Sequence, residues 1–505
     1  MRSKKALKNI VVSLLQQLVT VITGLIVPRA IIGTFGSNVN GLISSISQFL
    51  GYITLLEAGI GPVIKSSLYK PIATRDKNQI EKILKSSQKF FRILSIIFII
   101  YIIVLCFIYP LIVKEEFETT FTISLILIIA ISTFAEYFFG MIYKLYLQAE
   151  QKTYITSLIQ IFTTILNALL VIVLIRVNAN IQIVKLASAC VFVLRPILQN
   201  LYVKRKYNIN LSGVKDKYEL KQKWDGLAQH IAAVVHNNTD VAILTIFAGT
   251  AEVSVYTVYL FVVSGVKNIV QALTGGVDAS FGDMIAKNEI ENLNRSFKTY
   301  ELFYFTLITI VYSITLVMIL PFVKVYTNGI IDVNYYRPIF AILIVASEMM
   351  WSIRLPYSSI TLAAGHFKET RKGAWVEALT NVILSIILVF KLGIVGVAIG
   401  TLVAMIIRTI EFVYHTSKYI LKRSIKEFIK RVLVLTIEIL ITVPLGFYIS
   451  AYLNVTSYMK WIILAIIIGL ESVLIVGIIN SVIYKDDLRD LISMIKGIIK
   501  RKEEN

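Results

Sequence analysis

The stretch Gly226–Gly249, GLAQHIAAVVHNNTDVAILTIFAG, decides how the chain is read. At about 1.5 Å rise per residue, a helix over it crosses the ~30 Å hydrocarbon core of a bilayer. Both ends are apolar, but the centre carries His236, Asn237, Asn238, Thr239 and Asp240. On a helix, Gln229, His236 and Asp240 fall near one face, because i+4 and i+7 lie close to whole turns. Polar side chains at mid-membrane are costly unless they face protein or water, so the stripe points to a lined cavity. The plainer alternative is a packing helix whose Asn and Thr bond to neighbours. An Asp at that depth asks for more than packing. The stretch is therefore expected to open the second half of a two-halved transporter and to line its central cavity.

Composition agrees. Of 505 residues, 56% are hydrophobic and 16% charged, and the mean hydropathy is +0.75. That lies outside the soluble globular range. The net charge of +20 would suit nucleic acid, but the placement of the basic residues does not. Division into about fourteen apolar spans puts both termini on one side. That side holds 39 of the 51 Lys and Arg, while the opposite loops hold 6: Lys114, Arg176, Lys324, Arg337, Lys391 and Lys460. The asymmetry is the positive-inside pattern, so both termini are expected to be cytoplasmic and no nucleic-acid partner is expected. Part of the excess charge suits contact with anionic membrane lipids. Cys106 and Cys190 fall inside apolar spans and suggest neither a disulfide framework nor a thiol metal site. The basic N-terminus before the run from Ile10 to Ile32 mimics a secretory signal, but the run is too long and is read as a retained first helix.

The spans are expected at 10–33, 39–63, 91–113, 120–144, 154–176 and 182–203, then 226–249, 253–275, 300–324, 337–364, 374–391 and 393–416, with two more at 432–453 and 459–484. This divides the chain into a six-helix bundle (1–203), a cytoplasmic linker (204–225), a second six-helix bundle (226–416) and two additional helices with amphipathic cytoplasmic segments (417–505). Three such segments, 74–91, 419–431 and 486–500, are expected to lie in the membrane interface. A repeat supports the division. KNQIE (Lys77–Glu81) returns as KNEIE (Lys287–Glu291), and LQAEQK (Leu147–Lys152) is echoed by LAAGHFK (Leu362–Lys368). Asn167 and Asn381 follow the second pair. A period of 210–216 residues equals six spans, and an even number keeps the halves parallel. Parallel repeats of this kind build transporters with a substrate near the midplane.

Six basic residues lie within spans: Arg29, Lys185, Arg195, Lys267, Arg354 and Arg408. Each costs about 2.5–3.5 kcal/mol at the bilayer centre on insertion scales. Lys185 is near a span end and can snorkel. Arg408 has Glu411 one turn away, which suits an ion pair, and Arg195 precedes Pro196, where a helix distorts. Arg29 follows Pro28, and Arg354 precedes Pro356. Lys267 lies deep in its span. With few compensating acids expected nearby, these cations imply an anionic passenger, whose oxygens Arg reads as a fork and Lys as a point charge. Arg29, Lys267, Gln229, His236, Asn237 and Arg354 are the candidate cavity residues. Asp240 and Glu57 are the candidates for ion or proton coupling, because desolvation disfavours a charged carboxyl group. No P-loop, GxSxG, HExxH or phosphate-cradling glycine loop is present, so neither an enzyme nor a cofactor is expected.

Three stretches carry a family likeness: PRAIIGTFGSNVNGL (Pro28–Leu42), LQAEQKTYITSLIQ from Leu147, and the run from Leu362 that closes on KLGIVGVAIGTLV with Gly393, Gly396 and Gly400. Through them the chain resembles bacterial polysaccharide flippases, the Wzx-type members of the multidrug/oligosaccharidyl-lipid/polysaccharide (MOP) exporter superfamily. The resemblance implies an all-α integral membrane protein of the MATE/MOP-like fold, with a cationic cavity between the first, second, seventh and eighth spans. It implies alternating access that moves a polyprenyl-diphosphate-linked oligosaccharide across the bacterial cytoplasmic membrane, with a polysaccharide polymerase and glycosyltransferases as partners. A peptidoglycan-precursor flippase shares fold and span number. An ion-coupled multidrug antiporter of the same fold would want an acid-dominated cavity. A membrane polymerase or ligase would want a sizeable outward loop.

Overall fold

A computed structural model describes residues 2–57, 60–211, 214, 238–274, 278–366 and 368–488. Its contacts divide the chain into two compact units, Met1–Ser254 and Val255–Asn505. The first holds α1 (Arg2–Phe35), α2 (Ser37–Gly51), α3 (Thr54–Glu57), α4 (Ile60–Thr74), α5 (Lys77–Ile112), α6 (Thr119–Ala135), α7 (Met141–Ala149), α8 (Thr153–Arg176), α9 (Ile181–Tyr207) and α10 (Asn238–Phe247). A π-helical turn, Glu136–Gly140, joins α6 to α7. The division falls inside α11 (Thr250–Thr274). The second unit continues with α12 (Asp278–Ala286), α13 (Ile290–Tyr326), α14 (Pro338–Ala363), α15 (Arg371–Leu392), α16 (Ile394–His415), α17 (Lys426–Tyr452) and α18 (Tyr458–Ile483). Among the described residues there is no strand, and thirteen helices are long and apolar enough to cross a membrane. The span expected at 226–249 lies largely outside the described residues; its last turns form α10.

Backbone geometry carries the repeat further than the motifs do. Residues with positive φ recur in pairs: Gly36 with Gly249, Arg75 with Asn288, Gln151 with Gly365, Asn178 with Gly393, and Asn208 with Lys422. The members stand 213 to 215 positions apart. Each ends or precedes a helix, where a left-handed residue lets terminal carbonyls find partners. The hydrogen bonds repeat too: Lys152 N donates to Leu147 O at 2.8 Å, and His366 N to Thr361 O at 3.1 Å, a shift of 214. KNQIE and KNEIE, at 210, are therefore out of register with the backbone by about one turn. KNQIE forms the first turn of α5, whereas KNEIE runs through the turn that precedes α13, so the two are not equivalent positions.

Two expectations are corrected. The 74–91 segment is not a separate interfacial helix. Asp76 caps α5 by accepting from Gln79 N at 3.0 Å, and nothing breaks the helix before its membrane section. Its apolar face, Ile80, Ile83, Leu84 and Phe91, joins the core of the first unit with Leu42, Ile46, Phe98, Tyr109 and Leu125. The second span is not one helix either. It breaks after Gly51, where Thr54 Oγ1 turns back to Gly51 O at 2.8 Å, and resumes as α3. The opposite face of α5 leaves Ile96, Ile100, Ile103, Phe107 and Leu111 half or more exposed, as a lipid-facing stripe requires. Close small-residue contacts join α15 and α16: a Cβ on Gly400 would meet Ser385 Oγ at 2.4 Å, and one on Gly396 would meet Leu388 at 2.5 Å.

Candidate functional site

In the first unit, α10 and the start of α11 run along α2 through a seam of polar pairs. Gln48 Nε2 donates to Asn238 Oδ1, Tyr52 OH donates to Asn238 O at 3.0 Å, and Ser45 and Thr245 share a hydrogen bond of 2.6 Å. Asn40 Nδ2 donates to Ser254 Oγ at 2.8 Å. Glu116 accepts from the first amide of α11, Thr250 N at 3.1 Å, and from its hydroxyl, as an anion at a helix N-terminus should. Gly41 admits the Thr250 carbonyl, which a Cβ would meet at 1.7 Å. Asn238 and Thr245 thus serve packing. Asp240 is 5% exposed and within electrostatic range of the Tyr52 hydroxyl. Gln229, His236 and Asn237 lie outside the described residues.

Glu57 ends α3 and accepts from Tyr137 OH at 2.8 Å. Tyr137 sits in the π turn, whose first residue, Glu136, binds Lys144 Nζ at 2.7 Å. A π turn displaces one residue per helix and often marks a functional position. Arg29 is half-buried on α1, which stays helical through Pro28; its guanidinium lies against Gly33, where a Cβ would stand 3.0 Å from Nη1. Arg195 bonds Thr163 Oγ1 at 2.8 Å and Thr164 Oγ1 at 2.9 Å.

The second unit holds Lys267, Arg354 and Arg408, and here the expectation of few nearby acids is overturned. Lys267 Nζ lies 3.2 Å from Glu348 Oε2 and 4.2 Å from the centre of the Trp351 ring. Tyr312 OH donates to Glu348 O at 3.0 Å and shares a 2.7 Å bond with Ser352, fixing this turn of α14. Arg354 Nη1 binds Glu377 Oε1 at 2.7 Å; Arg408 Nε lies 3.3 Å from Glu377 Oε2 and its Nη1 reaches Glu411. A charge inside a bundle is costly without a partner, and the acids of α14, α15 and α16 stand beside these cations. The Arg408–Glu411 pair is as expected, inside a larger network.

Two features were passed over in the sequence. Glu301, fully buried, is gripped by both terminal nitrogens of Arg423 at 2.7 and 3.1 Å and by Tyr357 OH. An acid at the end of a span reads as solvated, so no signal marked it. Lys185, read as snorkelling, instead lines a cavity with Ser47, Ser132, Thr133 and Ser188. Single-span reasoning misses this because the cavity is made by three helices.

No family model matches the chain, and no curated protein matches its sequence. Solved structures do. The lipid II flippase MurJ in an inward closed conformation matches over 95% of this chain and 99% of its own, with a TM-score of 0.67 and 16% identity. An inward-facing multidrug resistance MATE family transporter of the MOP superfamily matches over 80% of this chain and 94% of its own, with a TM-score of 0.61 and 16% identity. A MOP superfamily transporter from Pyrococcus furiosus, described by the reverse polarity of its binding pocket, matches over 84% and 95%, with a TM-score of 0.52 and 14% identity. A match over 95% of the chain has to reach into α17 and α18. The chain is a multi-pass, all-helical membrane protein with the fold of the MOP superfamily transporters.

Proposed function

We propose that the protein is a flippase that carries a polyprenyl-diphosphate-linked oligosaccharide across the cytoplasmic membrane by alternating access. The observation that carries this reading is the extent of the fold match, which takes in nearly all of a lipid II flippase and more of this chain than the multidrug transporter does. A peptidoglycan precursor as passenger is favoured by the same match. Both passengers present a diphosphate, a lipid tail and sugars.

On the chain itself, the Lys267–Glu348 pair supports an anionic passenger by exchange. The diphosphate takes Lys267 and displaces Glu348, whose negative charge is then carried by a proton or small cation in the transport cycle. The pair keeps Lys267 from standing unpaired when the site is empty. Asp240 and Glu57 are the further coupling candidates, and Arg29, Arg354, Gln229, His236 and Asn237 the remaining candidates for the passenger's polar groups.

The test is translocation of a labelled polyprenyl-diphosphate oligosaccharide in proteoliposomes. Wild type is expected to move it and Lys267→Ala to lose most of that activity. Failure of correctly folded wild type to move any such lipid, with extrusion of a cationic drug instead, would replace this reading with the antiporter.

A further inference from the structure

The first unit contains a cavity of about 230 Å³ between α2, α6 and α9. Its walls are Ser47 from α2, Ser132 and Thr133 from α6, and Lys185, Ser188 and Phe192 from α9. Among the described residues lining it, Ser47, Ser132, Thr133 and Ser188 bring hydroxyls and Lys185 the one charge, which is positive.

Lys185 differs from the other basic residues placed within spans. Lys267, Arg354 and Arg408 hold carboxylates, Arg195 holds two threonine hydroxyls, and Arg29 is engaged as well. Lys185 has no hydrogen bond or ion pair among the described residues. A half-buried ammonium inside a membrane domain is costly without a counter-ion. The hydroxyls around it are arranged to help one. Ser47, Ser132 and Ser188 donate to Ile43 O at 2.7 Å, Ile129 O at 3.2 Å and Val184 O at 3.1 Å. Such bonds supplement a carbonyl's helical partner, so rotation about one torsion frees each donor at small cost. The volume is ample for a tetrahedral oxyanion and its waters.

We infer that Lys185, with the hydroxyls of Ser47, Ser132 and Ser188, forms an anion site for a phosphate group. That group is supplied by inorganic phosphate or by a lipid headgroup. Lys185 acts as the point charge and the serines as the directional donors. The site shares no residue with the Lys267–Glu348 pair and stands or falls apart from the flippase reading.

The experiment uses the full chain purified in detergent and chloride-free buffer, titrated with inorganic phosphate and with dioctanoyl phosphatidic acid. Binding is followed by native mass spectrometry and by thermal unfolding. Wild type is expected to retain one equivalent and to gain thermal stability with it. Lys185→Met is expected to bind at least tenfold more weakly, and to be more stable than wild type without ligand because an unpaired charge is gone. Lys185→Arg is expected to retain binding. The double variant Ser132→Ala, Ser188→Ala keeps the charge and is expected to weaken binding as well. Retention of phosphate would place the source in water; retention of phosphatidic acid alone would place it in the bilayer. Equal binding by Lys185→Met, or no binding of either probe by wild type, would overturn the assignment.

Discussion

At the scale of single residues, the carboxylate beside Lys267 defines what that ammonium can do. Glu348 stands 3.2 Å from Lys267, and under the proposed exchange it competes with the passenger for that ammonium. Glu348→Gln removes the competitor while keeping the shape. It is expected to bind a polyprenyl diphosphate more tightly than wild type, measured by titration in nanodiscs; weaker binding would show that Glu348 helps hold the anion instead. Asp240 of α10 is only 5% exposed, which makes its charge expensive. Asp240→Asn is expected to insert and fold normally but to transport poorly. Full activity in that variant would remove Asp240 from the coupling role.

Between elements, polar clamps join helices whose outer faces are all apolar. Glu301 of α13 holds Arg423, while Arg431 of α17 reaches Asp487 beyond α18 at 2.9 Å, and Lys298 of α13 meets the same aspartate at 2.8 Å. The clamp therefore ties the last two helices to α13. Removing one partner of a buried pair leaves an uncompensated charge, which typically costs about 3–5 kcal/mol. Glu301→Ala is expected to destabilise the protein on that scale, read as a lower unfolding temperature in detergent and faster proteolysis between α16 and α17. A change near zero would mean that water reaches Arg423. The α15–α16 contact is the apolar counterpart. Gly400→Val is expected to cost about 1–3 kcal/mol by overpacking, because Ser385 and its backbone already touch that glycine; a wild-type unfolding temperature would mean that the two helices separate easily.

For the whole molecule, the distribution of basic residues predicts which loops face which compartment. Ile331, 97% exposed between α13 and α14, is placed outside, and Asn288, between α12 and α13, inside. In a background lacking Cys106 and Cys190, a membrane-impermeant maleimide on intact cells is expected to label Ile331→Cys and not Asn288→Cys. The reverse pattern would invert the topology. The duplication is also a feature of the whole chain: five left-handed residues recur 213 to 215 positions later.

The sequence by itself determined what depends on counting along the chain. Helical class and a multi-pass chain follow from apolar length, and the repeat from loop motifs about six spans apart, each local or periodic in one dimension; loop charge gives an expectation of sidedness that the labelling experiment tests. Some of the pairing was visible too, where partners stand one turn apart, as Arg408 and Glu411 do. The tertiary structure alone decided what depends on neighbours from other helices. It gave Lys267 and Arg354 their carboxylates, turned the 74–91 segment into part of α5 with a buried apolar face, and moved Lys185 from the membrane surface to a cavity wall. The physical reason is that a charge in a membrane is read from its hydropathy as a cost, whereas its role is set by the counter-charge or cavity across the helix interface, and no spacing within one helix records that.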